Sequence, residues 1–136
     1  MPLLSNAQRL FLRPPRLARL ATVGPRATPH VVPVWYAMEG DAFSFTTVMT
    51  RRTARYLLRD PRATFVVDDA DPHGRQGIEI ECGVVFVPDE SERIARALAL
   101  RYLGPEEGPV YAEGMLAVPG RSAFRGVPRR VRSWGI

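Results

Sequence analysis

The chain has 136 residues, 46% of them hydrophobic and 24% charged, with a formal net charge of +5. That is the make-up of one soluble globular domain spanning residues 1–136, and no apolar run approaches the roughly 20 residues of a membrane helix. All 19 basic residues are arginines, which excludes covalent chemistry on lysine, and their spread from Arg9 to Arg132 argues against a nucleic-acid tract. Met1-Pro2-Leu3-Leu4 lacks the pattern of a signal peptide and Cys82 has no second cysteine to pair with, so a cytoplasmic protein is expected, with no membrane or nucleic-acid partner.

Ser5-Asn6-Ala7-Gln8 has the form of a capping box and predicts a short helix from about Asn6 to Leu12, packed as a lid. Leu17 to Val23 reads as a strand, Gly24-Pro25-Arg26-Ala27 as a turn and Pro29 to Ala37 as a second strand, completing a hairpin. After the turn Glu39-Gly40-Asp41, Ala42 to Thr47 forms a third strand, and Val48 to Thr50 lead into a helix from Arg51 to Arg59 that Asp60-Pro61 closes. Ala63 to Asp68 and Ile78 to Val87 are the fourth and fifth strands, on either side of the polar loop 69–74, and Cys82 is a buried strand residue. A longer helix starts at Asp89-Glu90-Ser91-Glu92, turns Ile94, Leu98 and Tyr102 toward the core and stops at Gly104-Pro105. An irregular stretch runs to Gly120, and Arg121 to Arg125 with Arg130 to Trp134 make a last strand interrupted by Gly126-Val127-Pro128.

Six strands in short antiparallel steps with few helices predict a mainly β (α+β) fold, a small barrel. A barrel of that size is filled by its own side chains, so a ligand must lie on its outer wall or between two barrels, which points to a homodimer.

Thr50-Arg51-Arg52-Thr53-Ala54-Arg55 carries the chemistry. A helix start is already partially positive, so cations crowded into its first turn repel it unless an anion sits there, and phosphate is the natural anion. A solvated basic face is the plain alternative, but it would gain nothing from cations at that end. Pro33 interrupts an otherwise strong strand and implies an edge, a bulge or a backbone left free for a flat ring; an ordinary edge strand explains it equally well. Trp35 and Trp134 are of the kind that anchors cores and interfaces. His30 and His73 have no partner at metal-ligand spacing, the loop from Asp69 has Ile80 where a calcium loop needs glutamate, and Ser91, Ser122 and Ser133 lie in no nucleophile context. No catalytic side chain and no metal site is therefore named.

Taken together, Leu17-Ala18-Arg19-Leu20-Ala21-Thr22-Val23, Pro29-His30-Val31-Val32-Pro33-Val34-Trp35-Tyr36, Gly40-Asp41-Ala42-Phe43-Ser44-Phe45-Thr46-Thr47 and Arg52-Thr53-Ala54-Arg55-Tyr56-Leu57-Leu58-Arg59-Asp60-Pro61-Arg62 resemble the pyridoxamine 5'-phosphate oxidase-like family of flavin-binding split β-barrels. Within it the chain is most similar to the flavin/deazaflavin oxidoreductases that use coenzyme F420, the ending Pro128-Arg129-Arg130-Val131-Arg132-Ser133-Trp134-Gly135 included. The resemblance implies a homodimer with two cofactor sites at the interface, the ring near Val32, Pro33 and Val34, and the phosphate around Thr47, Arg51, Arg52 and Thr53. Thr46 ends the third strand beside it, Thr50 stands at the helix entrance, and Trp134 comes near the ring from the partner chain. The family usually has an Arg-Lys pair where this chain has Arg52-Thr53, so Arg51 or Arg52 has to supply the missing charge.

The expected function is that of an oxidoreductase passing a hydride between F420, or alternatively FMN, and a small planar organic substrate. A cofactor that carries the reactive hydride needs positioning more than acid–base help, which fits the lack of a catalytic constellation. The tail of F420, with its phosphate and carboxylates, suits an arginine-rich groove better than that of FMN. The rival expectation is a non-catalytic carrier of flavin, deazaflavin or haem. Residues 69–77 and 104–120 are the expected substrate loops.

Overall fold

A computed structural model of the protein describes residues 3–136. The elements are α1 (Asn6–Leu12), β1 (Ala18–Val23), β2 (Pro29–Val34), β3 (Ala37–Glu39), β4 (Ala42–Val48), α2 (Arg52–Arg59), β5 (Arg62–Asp68), β6 (Gly77–Phe86), α3 (Ser91–Ala117) and β7 (Arg121–Trp134). Single 3-10 turns lie at Pro25–Ala27 and Pro88–Glu90.

All seven strands join one antiparallel sheet in the spatial order β2-β1-β5-β6-β7-β4-β3. The two edges, β2 and β3, are separated along the chain by Trp35 and Tyr36 alone. Three residue steps reach about 10 Å, whereas a flat seven-stranded sheet would hold its edges about 28 Å apart. The sheet must therefore roll into a barrel, and it stays split where β2 and β3 meet.

Alternation fills the interior. Ala18, Leu20 and Thr22 of β1 and Ala63, Phe65 and Val67 of β5 point inward in step with Ile78, Ile80 and Cys82 of β6. Phe43 stacks on Phe65 with ring centroids 4.6 Å apart, Phe45 meets Phe65 edge-on, and Phe124 stacks on Phe45. Each such buried side chain is worth about 1.5–3 kcal/mol, and together the aromatic rings fill the middle of the barrel. Burial also pushes the Cys82 thiol up to about 12, against the opposing pull of Arg129.

α1 forms the expected capping box, with Ser5 and Gln8 exchanging hydrogen bonds of 2.8 and 3.1 Å. It closes one end of the barrel by burying Phe11 and Leu12. Arg101 of α3 donates to the carbonyls of Leu12, Arg13 and Pro14 at and just past the C-terminus of α1, which ties the two helices together.

Three features differ from the sequence expectations. The second strand ends at Val34 and a separate β3 follows, giving seven strands in place of about six. The last strand is continuous: between Glu81/Cys82 and Arg130/Pro128 a β-bulge absorbs Arg129 as an extra residue, so Pro128 causes a shift in register without a break. The irregular stretch after Gly104 is helical to Ala117. Gly104, at φ 86° and ψ 178°, turns the chain, and Pro105 then occupies the first position of a new helical arm, where its missing N–H costs nothing. A stop and a start thus coincide in one dipeptide. The arm 105–117 folds back on 91–103. Gly108 approaches Ala99 and Leu100 so closely that a Cβ would lie 2.9 Å from the Ala99 carbonyl oxygen, and Arg96 bonds Glu113 at 2.7 Å. No helix among the described residues is long and apolar enough to cross a membrane.

Candidate functional site

Two cavities of similar size are present: one of about 360 Å³ beside Thr22, Ala63 and Cys82, and a groove of about 350 Å³ between β2, the end of β4, the start of α2 and the helical arms of α3, which is the one that gathers the expected site residues. Its shelf is Val32, Pro33 and Val34. β2 is an edge strand that pairs with β1 alone, so Pro33 removes no ladder bond on the open side. Trp35 follows and is fixed by aromatic packing, stacked on Tyr102 at 4.9 Å and tilted against Tyr111 at 5.5 Å. The Tyr102 hydroxyl donates to the Arg16 carbonyl at 2.6 Å and accepts from the Tyr36 N–H at 3.0 Å, which locks the ring under Trp35.

The polar end is built by one continuous piece of chain. β4 delivers Thr46, Thr47 and Val48 in register with Ala123, Ser122 and Arg121 of β7. The backbone then turns through 49–51, held by Met49 N–H on the Gly120 carbonyl and Arg51 N–H on the Val48 carbonyl. Arg51 is the N-cap of α2, and no side chain caps that helix, so the N–H groups of its first turn have no capping partner. Thr53 is buried in that turn, its hydroxyl 3.3 Å from His30 Nε2, and His30 itself packs edge-on against Tyr56.

The groove brings together Val32, Pro33, Val34, Thr46, Thr47, Arg51 and Thr53. Thr50 and Arg52 are exposed and stand outside its lining, which leaves Arg51 as the cation at the helix start. Trp134 is at the far end of β7, with its ring laid over Gly77, where any side chain would collide with it. Residues 69–77 also lie outside the lining.

The opposite wall is made by Leu98, Tyr111, Met115 and Arg121; Tyr111 and Met115 fall within the segment 104–120 expected to line a substrate pocket, as a helix and not a loop, whereas Leu98 and Arg121 are not among the expected site residues. Tyr111 and Met115 are four apart and share a helix face, a signal hidden by reading 105–120 as irregular. Arg121 opens β7, and its Nη1 donates to Thr46 Oγ1 at 3.0 Å. No acidic residue lines the groove. An apolar shelf, an aromatic wall and a cationic end with free backbone donors form one surface able to take a flat ring that carries an anionic tail.

The pyridoxamine 5'-phosphate oxidase family model matches residues 4–135. A 5a,11a-dehydrotetracycline/5a,11a-dehydrooxytetracycline reductase of Streptomyces rimosus is 30% identical over 133 residues, covering 93% of this chain and 79% of that protein. The crystal structure of a conserved hypothetical protein from Mycobacterium tuberculosis superposes with a TM-score of 0.81 at 31% identity, over 96% of this chain and 84% of that one. A structure described as an F420 reductase superposes with a TM-score of 0.78 at 27% identity, over 95% and 98% of the two chains.

Proposed function

The chain belongs to the pyridoxamine 5'-phosphate oxidase family, and on that premise we propose that it is an oxidoreductase passing a hydride between F420, with FMN as the alternative, and a small planar organic molecule. The observation that carries the reading is the groove itself, where the shelf Val32-Pro33-Val34 and the cation Arg51 share one cavity that holds no carboxylate. The residues present fit such a coenzyme: backbone N–H groups, threonine hydroxyls and guanidinium forks suit a phosphate, and the flat apolar shelf suits a ring. The relatives described as reductases, one of them an F420 reductase, support the same reading.

When bound, the reduced ring supplies the hydride. The chain's own part is positional. Val32, Pro33 and Val34 support one face, Thr47, Arg51 and Thr53 hold the tail, and Tyr111 and Met115 exclude water from the other side. Pairing of two barrels, with Trp134 of each reaching the other's ring, completes the proposal. His30 is engaged with Thr53 and Tyr56 and His73 with Asp71, and neither lines the groove, so the haem-carrier reading gains no ligand from them.

Titration of the purified protein with F420, FMN and haem in turn, followed by absorbance and fluorescence, tests the reading. Micromolar binding of F420 with turnover of an added acceptor is the expected result. Failure of both F420 and FMN to bind sinks it, and tight binding of either without hydride transfer turns the protein into a carrier.

A further inference from the structure

Arg125, the other half-buried arginine of β7, meets Glu90 at 2.7 Å and Glu39 at 3.0 Å, whereas Arg121 meets no carboxylate among the described residues. Its Nη1 is committed to the Thr46 hydroxyl, its Nε is buried without a partner, and the strand register fixes its backbone opposite Val48 at the rim of the groove. Burial lowers its pKa from the ordinary arginine value, and the nearby Arg51 guanidinium lowers it further, while Tyr111 acts in the opposite sense. A guanidinium drawn half out of water beside a second one, with no negative charge to meet either, is unfavourable in the free protein. Such an arrangement persists where a ligand brings the missing charge.

We propose that Arg121 is the second anion-holding residue of the groove, taking with Arg51 one oxyanion of the phosphate or carboxylate class between the end of β4 and the start of β7. The inference rests on the reading of the groove as a coenzyme site for the identity of that ligand. The oxyanion has two sources, the coenzyme's own tail or an anionic group on the substrate, because Arg121 lines the groove together with both Arg51 and Tyr111.

The experiment compares the wild type with Arg121→Gln and Arg121→Lys by titration with four probes: F420, FMN, riboflavin, which has the ring of FMN without its phosphate, and inorganic phosphate alone. Arg121→Gln is expected to weaken at least one of the phosphate-bearing probes about ten-fold or more and to leave riboflavin within about two-fold, with Arg121→Lys recovering part of the loss. Loss of F420 and FMN with riboflavin spared assigns the oxyanion to the coenzyme tail. Retention of both with loss of inorganic phosphate assigns it to a separate anionic group. A merely structural arginine would lower the melting temperature when removed, whereas here ligand-free Arg121→Gln should melt at or above the wild type, because it relieves a buried repulsion. Unchanged affinity for F420, FMN and inorganic phosphate overturns the inference, as does a ligand-free melt well below the wild type. If the wild type binds phosphate through Arg121 but neither F420 nor FMN, the coenzyme reading fails and this inference stands.

Discussion

The two walls of the groove are made by different means. Val32–Val34 and Thr46–Val48 belong to strands whose neighbours and register are set by ladders, and Arg51 and Thr53 follow β4 through a turn pinned to Gly120. The facing wall comes from a helical hairpin that turns at Gly104, is held by close packing at Gly108 and the Arg96–Glu113 pair, and leaves Val110 largely and Tyr111 half exposed. A ladder leaves little freedom of position, whereas a hairpin hinged at a glycine can shift with a few side-chain contacts. On the proposed function, the strand wall suits a coenzyme that never varies, and the helical wall suits whatever is stacked over it.

Four measurements would break or sharpen that contrast. Arg51→Gln should weaken coenzyme binding by about 1.5–3 kcal/mol, the range for a charge-assisted contact, while Arg52→Gln leaves the dissociation constant within about two-fold. Equal losses would show that the strand wall extends beyond Arg51. Gly108→Ala forces a Cβ against the Ala99 carbonyl and should cost about 1–3 kcal/mol of stability. It should also raise KM for an acceptor with coenzyme affinity preserved; a parallel loss of coenzyme affinity would mean that the walls are coupled. Tyr111→Ala should act in the same direction with a smaller effect on melting, since the side chain is half exposed.

The smallest effect is set by pH. Burial pushes the Glu39 carboxyl up, but the Ser44 hydroxyl, Arg93 and Arg125 together hold it below its ordinary value of 4.5. Glu39 joins β3 to the 91–103 arm through Arg93 and to β7 through Arg125. A carboxylate whose folded pKa is lowered contributes stability that is complete above its unfolded pKa and is lost as pH falls through the folded one. The melting temperature should therefore decline below about pH 4.5, with a shallower decline in Glu39→Gln. Identical acid profiles would remove Glu39 as the tie between the helical wall and the sheet.

Much of the strand wall was legible because its signals are local. The hairpin around Gly24-Pro25, the capping box at Ser5 and the arginine-rich start of α2 each state their structure within a few residues. The helical wall was not, because Gly104-Pro105 ends one helix and begins another with the same two residues, and both outcomes satisfy the same rules of capping. The bulge at Arg129 was read as a break for a similar reason: a proline inside a strand is equally consistent with interruption and with an extra residue.

The sequence by itself determined a small antiparallel barrel with a cationic helix start after the third long strand, since alternation, turn residues and caps act over short stretches of chain. Only the tertiary structure decided that Arg51 enters the groove while Arg52 stays outside, that Tyr111 and Met115 line the same groove as Val34, and that Arg121 reaches Thr46. Those meetings depend on the β4–β7 ladder and on the fold-back at Gly108, which join residues far apart in the chain, and no local preference encodes such a distance.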